Sequence, residues 1–248
     1  MTTVKNIYDY LNSIAPFETQ EEWDNSGFLV GDFRGEVRTV VLALDASKEV
    51  AAFAKSVNAE LLITHHPLIF NPVSSVEKGT ALYELVSSGV SVISTHTCYD
   101  RAKGGINDSL AELLELDNIR QVPDSFLSVG ELQGAMSIDD FADYVSEKLS
   151  SDKVLYLKSD KLIKSVAVGG GACGEYAQLA MDNADCFLTG EMKYHELLDA
   201  YEKGITVITA GHFETEHIPF TRLADKLSQL FTDLEIIVAP ERNAIIGL

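Results

Sequence analysis

Six histidines are present, and four of them follow short apolar runs: His65 and His66 in LLITHHP, His96 in VISTHTCYD and His212 in VITAGHFETE. An imidazole nitrogen suits zinc, iron, manganese or nickel, and the ring also carries protons near neutral pH. Carboxylates stand close by. Asp100 comes four residues after His96, and Glu216 four residues after His212. On a helical turn that spacing puts both side chains on one face. Two ions roughly 3.5–4 Å apart need a bridging group, and a glutamate between two sets of histidines can serve. Such ions lower the pKa of bound water and make a nucleophile at neutral pH. One strand-end histidine alone is more simply structural, and Asp100 or Glu216 alone could favour a helix N-terminus through its dipole. Four histidines from three strands, with carboxylates beside them, are better explained together as a site for divalent metal.

The elements that must position these residues show in the apolar patterning. Strand-like runs cover 37–44, 61–64, 90–95, 154–157, 165–168, 186–189, 205–209 and 235–238, and a turn-rich stretch at 21–31 leads into one more. Helical spacing covers 4–14, 47–57, 79–88, 106–116, 137–150, 176–183, 193–203 and 216–231. Ser137 reads as an N-cap, with Asp140 at the third helical position. This alternation predicts an α/β fold with mixed sheets flanked by helices. In open α/β sheets ligands bind beyond the carboxyl ends of the strands, where these histidines fall. The stretch 116–137 carries few signals and is the best boundary candidate.

Other readings are weaker. Gly169-x-Gly171-x-x-Gly174 follows a strand, with Glu191 about 20 residues on, which is formally a dinucleotide fingerprint. It also fits a sharp turn, or an amide nest for a substrate anion. No GxxxxGK[ST] loop occurs. His195-Glu196 starts like HExxH but lacks the second histidine. Glu191 and His195, four apart, either line the pocket or are ordinary helix residues, and His217 is expected to pack away from the site.

Composition bounds the rest. Against 19 basic residues stand 38 acidic ones, a net charge of −19, so bulk nucleic-acid binding is not expected. The apolar runs are far too short for a membrane span, which needs about 20 residues. The opening MTTVKNIYDYLNSIAPFE lacks the basic and apolar regions of a secretory signal. The three cysteines Cys98, Cys173 and Cys186 suggest neither a disulfide framework nor a thiolate zinc site. A cytoplasmic protein with reduced thiols is expected.

Several strings taken together are familiar: Trp23-Asp24-Asn25-Ser26-Gly27, Thr64-His65-His66-Pro67-Leu68-Ile69-Phe70, Ser94-Thr95-His96-Thr97-Cys98-Tyr99-Asp100, Gly169-Gly170-Gly171, Thr189-Gly190-Glu191, and Gly211-His212 with Glu216. In this order, spread over nearly the whole chain, they resemble the NIF-three-like family, also catalogued as type 2 homologues of GTP cyclohydrolase I. The resemblance implies two similar α/β lobes, 1–125 with 212–248 and 126–211. It implies a dinuclear metal centre and a toroidal homohexamer. Carried over, one metal takes His66 and Asp100, the other takes His65 and His212, and Glu216 bridges them. His96 matches a family histidine close to the site and is the candidate catalytic residue.

Two functions follow as expectations. One is a metal-dependent hydrolase acting on a nucleotide-like or phosphoester small molecule through metal-activated water. The other is a non-catalytic ring that binds metal or partners in a regulatory role. A nicotinamide-dependent oxidoreductase rests on the glycine pattern alone.

Overall fold

Aliphatic and β-branched runs form the strands, and hydroxyl caps open several of the helices between them. The computed structural model describes residues 1–245. Among these the strands are β1 (Gly27–Val30), β2 (Thr39–Ala43), β3 (Leu61–Thr64), β4 (Ser91–Ser94), β5 (Asp117–Gln121), β6 (Ser128–Met136), β7 (Leu155–Tyr156), β8 (Ile163–Gly169), β9 (Cys186–Thr189), β10 (Val207–Thr209) and β11 (Glu235–Val238). The helices are α1 (Val4–Ile14), α2 (Lys48–Ser56), α3 (Ala81–Ser88), α4 (Thr97–Asp100), α5 (Ile106–Leu113), α6 (Ile138–Leu149), α7 (Ala177–Met181), α8 (Tyr194–Glu202), α9 (His212–Thr221) and α10 (Leu223–Leu230). Thr3, Ser47, Thr80 and Ser137 each accept the amide three residues on, at the starts of α1, α2, α3 and α6. The fold is α/β, with two mixed sheets flanked by helices, as the alternation predicts. By its internal contacts the chain forms two units, residues 1–102 with 220–242, and residues 103–219 with those described from Asn243 on.

In the first unit the strand order is β1-β4-β3-β2-β11, parallel except for β1. All four residues of β3 are buried, as befits a strand covered on both faces. One face of this sheet packs Val41, Ala43, Leu62 and Val92 against Val50, Ala54 and Leu85 of α2 and α3.

In the second unit the order is β5-β6-β8-β9-β10-β7, with β8, β9 and β10 parallel and the outer pairings antiparallel. Its side chains alternate across the sheet. Val166, Val168, Cys186 and Leu188 join Leu110 of α5 and Phe141 and Val145 of α6 in one cluster. Ala167 and Phe187 join Ala177, Ala180 and Ala200 of α7 and α8 in another.

Two stretches differ from the pattern-based reading. The weak-signal stretch 116–137 holds two strands, β5 and β6. β5 is the polar, mostly exposed edge strand DNIRQ, and β6 carries two glycines, opens with three buried residues and ends mostly exposed. Neither presents the apolar period that marks a strand in isolation. The expected single helix 216–231 is instead α9, which starts at His212, followed by α10 after a break at Arg222. Pro219 lies inside α9, where it removes one ladder hydrogen bond. No helix among the described residues is long and apolar enough to cross a membrane.

Phe141 is fully buried between α6 and the second sheet. Phe141→Ala should cost about 3–5 kcal/mol. A thermal scan should show a melting point several degrees lower, and an unchanged one would contradict this packing.

Candidate metal site

Strand register in the first unit delivers the ligand candidates to one edge. Ala43 pairs with Thr64, and Thr64 pairs with Ser94, so β2, β3 and β4 end level. The next residues are Leu44-Asp45, His65-His66 and Thr95-His96. The ladder continues into them. The His66 amide donates to Leu44 O at 3.0 Å and the Thr95 amide to Thr64 O at 2.9 Å. His96 then caps α4, whose amide hydrogen bond from Asp100 to His96 O at 3.1 Å sets Asp100 one turn on.

Each imidazole here is held by its Nδ1 atom. His65 Nδ1 lies 3.0 Å from Thr95 O, His66 Nδ1 2.8 Å from Asp45 Oδ1, and His96 Nδ1 3.0 Å from Asp24 Oδ1. A carbonyl oxygen can only accept, so Nδ1 of His65 carries the hydrogen and Nε2 keeps its lone pair. A carboxylate selects the same tautomer in the other two. His65, His66 and His96 each offer a nitrogen within 4.8 Å of the others. His65 is fully buried.

Asp24 is the buried anchor of this arrangement. Besides His96, it accepts the Thr97 amide at 3.0 Å and the Thr97 hydroxyl at 2.5 Å. Burial by itself would raise its carboxyl. The hydrogen bonds from His96 and Thr97 outweigh that and hold it far below the ordinary carboxylate range.

The second unit repeats the device. Gly169 pairs with Thr189 and Thr189 with Thr209, so β8, β9 and β10 also end level. Beyond them come Gly170-Gly171, Gly190-Glu191 and Ala210-Gly211-His212. The Glu191 amide donates to Gly171 O and the Gly211 amide to Gly190 O, both at 2.9 Å. α9 begins at His212, and Glu216, one turn on and buried, places Oε2 3.1 Å from His212 Nε2. His212 Nδ1 lies 3.1 Å from Glu191 Oε1.

The glycine triplet is part of this turn. The Gly170 amide donates to Asn107 Oδ1 at 2.7 Å, the Gly171 amide to Thr215 Oγ1 at 3.0 Å and the Cys173 amide to Thr189 Oγ1 at 3.3 Å. These amides are spent inside the protein, which removes both the dinucleotide and the anion-nest readings. Gly171 has φ +63°, and a Cβ there would lie 2.0 Å from Glu216 Oε1. At Gly190 a Cβ would lie 2.5 Å from Gly171 O and 2.9 Å from His212 Cα. The glycines are there so that the backbone can approach the His212–Glu216 turn.

The donor chemistry fits divalent metal. With Nδ1 protonated, the His212 Nε2 lone pair faces Glu216 Oε2 at 3.1 Å, and His65 Nε2 faces Asp100 Oδ1 at 3.5 Å. Two acceptors that close repel unless a proton or a cation lies between them. Ligand atoms about 2.0–2.1 Å from a common zinc ion sit roughly 3.0–3.4 Å apart. Both pairs have about that separation.

Every expected ligand thus lies at such an edge, His65, His66 and Asp100 beyond the first sheet and His212 and Glu216 beyond the second, and so does His96, the candidate catalytic residue. Asp100 lies beside His65, whereas the resemblance pairs it with His66. Glu191 holds His212. His195 is exposed on α8, and His217 stacks on Phe213 at 4.5 Å. Asp24 and Asp45 are the carboxylates that hold His96 and His66, roles the sequence reading does not supply. For Asp45 the signal is its place after a strand; Asp24 gives none, because its partner is 72 residues away.

Gly171→Ala should be disruptive on two counts, a left-handed backbone costing about 1–2 kcal/mol and a clash with Glu216. Gly134→Ala, where a Cβ meets nothing within 4 Å, is the control. Thermal scans should show a clear loss for the first and none for the second. Equal melting points would contradict the close approach.

Across residues 2–244 the chain matches the family described as Duf34/NIF3 (NGG1p interacting factor 3). It is 35% identical over 246 residues to the "GTP cyclohydrolase 1 type 2 homolog" of Campylobacter jejuni, covering 97% of both chains. It is 31% identical over 252 residues to the protein of the same name from Clostridium perfringens, covering 96% of both. Among solved structures, the Staphylococcus aureus hypothetical protein SA1388 is similar with a TM-score of 0.92, at 26% identity over 99% of both chains. On a match running nearly end to end, the chain belongs to the Duf34/NIF3 family.

Proposed function

We propose that the chain binds two divalent metal ions and hydrolyses a small nucleotide-like or phosphoester substrate. The observation that carries this is the common arrangement of four histidines, each with Nδ1 on an oxygen acceptor. That arrangement orients imidazoles for metal ligation and raises their basicity. The name "GTP cyclohydrolase 1 type 2 homolog" of the relatives supports the hydrolytic direction.

In this reading His65, Asp100, His66 and His212 would hold the two ions, with Glu216 supplying charge to both. The pairing of His65 with Asp100 is favoured by their 3.5 Å separation. Zinc, iron, manganese and nickel all suit this nitrogen and oxygen donor set. Bound ions would supply Lewis-acid activation of water and of the substrate. His96, fixed through Asp24, takes or returns the proton at Nε2. The setting is the cytoplasm, where the three buried free thiols stay reduced.

A second reading, a non-catalytic ring acting through partners, is favoured by one feature. Tyr194, Leu198 and Tyr201 form an exposed stripe along α8, with Tyr194 80% and Tyr201 62% exposed. Assembly as a homohexamer would serve either reading. Light scattering should then give about six times the chain mass, and a monomer would contradict it.

Elemental analysis after reloading with zinc, manganese or iron should approach two ions per chain. Glu216→Gln should lose most of this, because an amide cannot supply charge to two ions. Glu191→Gln should weaken binding only about 10–100-fold, because its amide oxygen still accepts from His212. Equal metal content in the two variants would contradict the bridging role.

For activity, the metal-loaded chain should turn over at least one member of a panel of nucleotides, phosphodiesters and cyclic amides. His96→Ala should lower that rate about 10²–10⁴-fold with metal retained. No turnover across the panel would favour the ring reading, and full turnover in His96→Ala would make His96 structural.

A further inference from the structure

Beside the first unit's ligand candidates, two large aromatic side chains stand in solvent. Trp23 is 56% exposed and Phe70 43%. Their rings stack with centroids 5.8 Å apart and planes 23° apart. The His96 ring meets both at steep angles, 5.8 Å from Trp23 and 5.9 Å from Phe70. Isolated exposed aromatics are unremarkable, but a stacked pair in contact with a site histidine is a surface with a shape.

That surface is held in place. Asn25 Nδ2 donates to Ile69 O at 2.6 Å, joining the loop before β1 to the loop after β3. The Ser26 amide donates to Gln20 Oε1 at 2.6 Å, and the His96 amide donates to Ser26 Oγ at 2.9 Å. Asp24, between Trp23 and Asn25, grips His96 and Thr97. The Trp-Asp-Asn-Ser string thus fixes His96 and displays Trp23 at the same time. A rigid aromatic face costs little entropy to use.

The geometry also says how a ligand would sit. A flat ring between Trp23 and Phe70 would need about 7 Å, two contact distances of about 3.5 Å. The 5.8 Å spacing leaves no such slot, so a ligand ring lies on the outside of the pair. Arg101, next after Asp100, is bonded to Glu21, and the chain carries −19 overall. A flat, weakly charged ring suits this face better than a polyanion does.

We propose that Trp23 and Phe70 form a stacking platform for the planar heteroaromatic ring of a small-molecule substrate, with the ring's polar edge turned towards His96. This rests on the hydrolase reading above and adds what that reading leaves open, the part of the substrate that is recognised.

The test uses GMP, UMP and ribose 5-phosphate as probes on the metal-loaded full chain. Trp23 is the single tryptophan, so its fluorescence reports the platform directly. Both nucleotides should quench it, and calorimetry should show them binding at least 10-fold tighter than ribose 5-phosphate. Trp23→Ala should weaken nucleotide binding roughly 5- to 150-fold. Binding of ribose 5-phosphate should change less than about 2-fold, and metal content should not change. Trp23→Phe, which keeps an aromatic face, should recover most of the loss.

Two results would overturn the proposal. One is nucleotides that fail to bind, or bind no tighter than ribose 5-phosphate. The other is Trp23→Ala with unaltered nucleotide affinity, and a lower assembly mass in that variant would make the pair a contact between copies. The two readings fail separately. A chain without metal that still shows Trp23-dependent nucleotide binding keeps the platform and loses the metal hydrolase. A chain with two ions and no ring preference does the reverse.

Discussion

An imidazole has two nitrogens, and binding one to an oxygen acceptor decides what the other can do. That constraint governs this protein. Nδ1 of His65, His66, His96 and His212 is committed to Thr95 O, Asp45, Asp24 and Glu191 respectively. Each ring is thereby fixed in tautomer and in direction, with Nε2 left for chemistry. In two cases Nε2 then faces a carboxylate oxygen at 3.1–3.5 Å, a spacing suited to a shared cation. The oxygen acceptors are therefore as much part of the site as the candidate ligands.

Both sheets meet the constraint by the same means. Three adjacent parallel strands end level, so residues far apart in sequence emerge side by side. In the first unit this brings Asp45 to His66 and Thr95 to His65. In the second it brings Glu191 to His212 and seats the glycine turn against the His212–Glu216 turn. Each unit then begins a helix at a site histidine, His96 before α4 and His212 at the start of α9, with a carboxylate one turn later. The side chains do little of their own positioning; register does most of it.

This explains what could be read from the sequence. The histidines after strands, and the four-residue spacings His96 to Asp100 and His212 to Glu216, are local patterns and are legible as such. The α/β alternation is legible for the same reason. Contacts made across the fold are not. Asp24 reaches His96 over 72 residues, and Asn107 reaches Gly170 over 63. Gly169-x-Gly171-x-x-Gly174 imitates a phosphate loop because a string cannot show that its amides already have acceptors. β5 is not legible because an exposed edge strand has no apolar period, and the start of α9 is not legible because a histidine start carries no usual cap signal.

X-ray absorption at the metal edge of zinc- or iron-loaded protein reads the ligand atoms themselves. The expected spectrum has a shell of nitrogen and oxygen at about 2.0–2.2 Å, with outer-shell scattering from bound imidazole and no sulfur. An all-oxygen shell without imidazole scattering, or a sulfur contribution, would mean that the committed Nδ1 atoms do not serve to aim the histidines at metal.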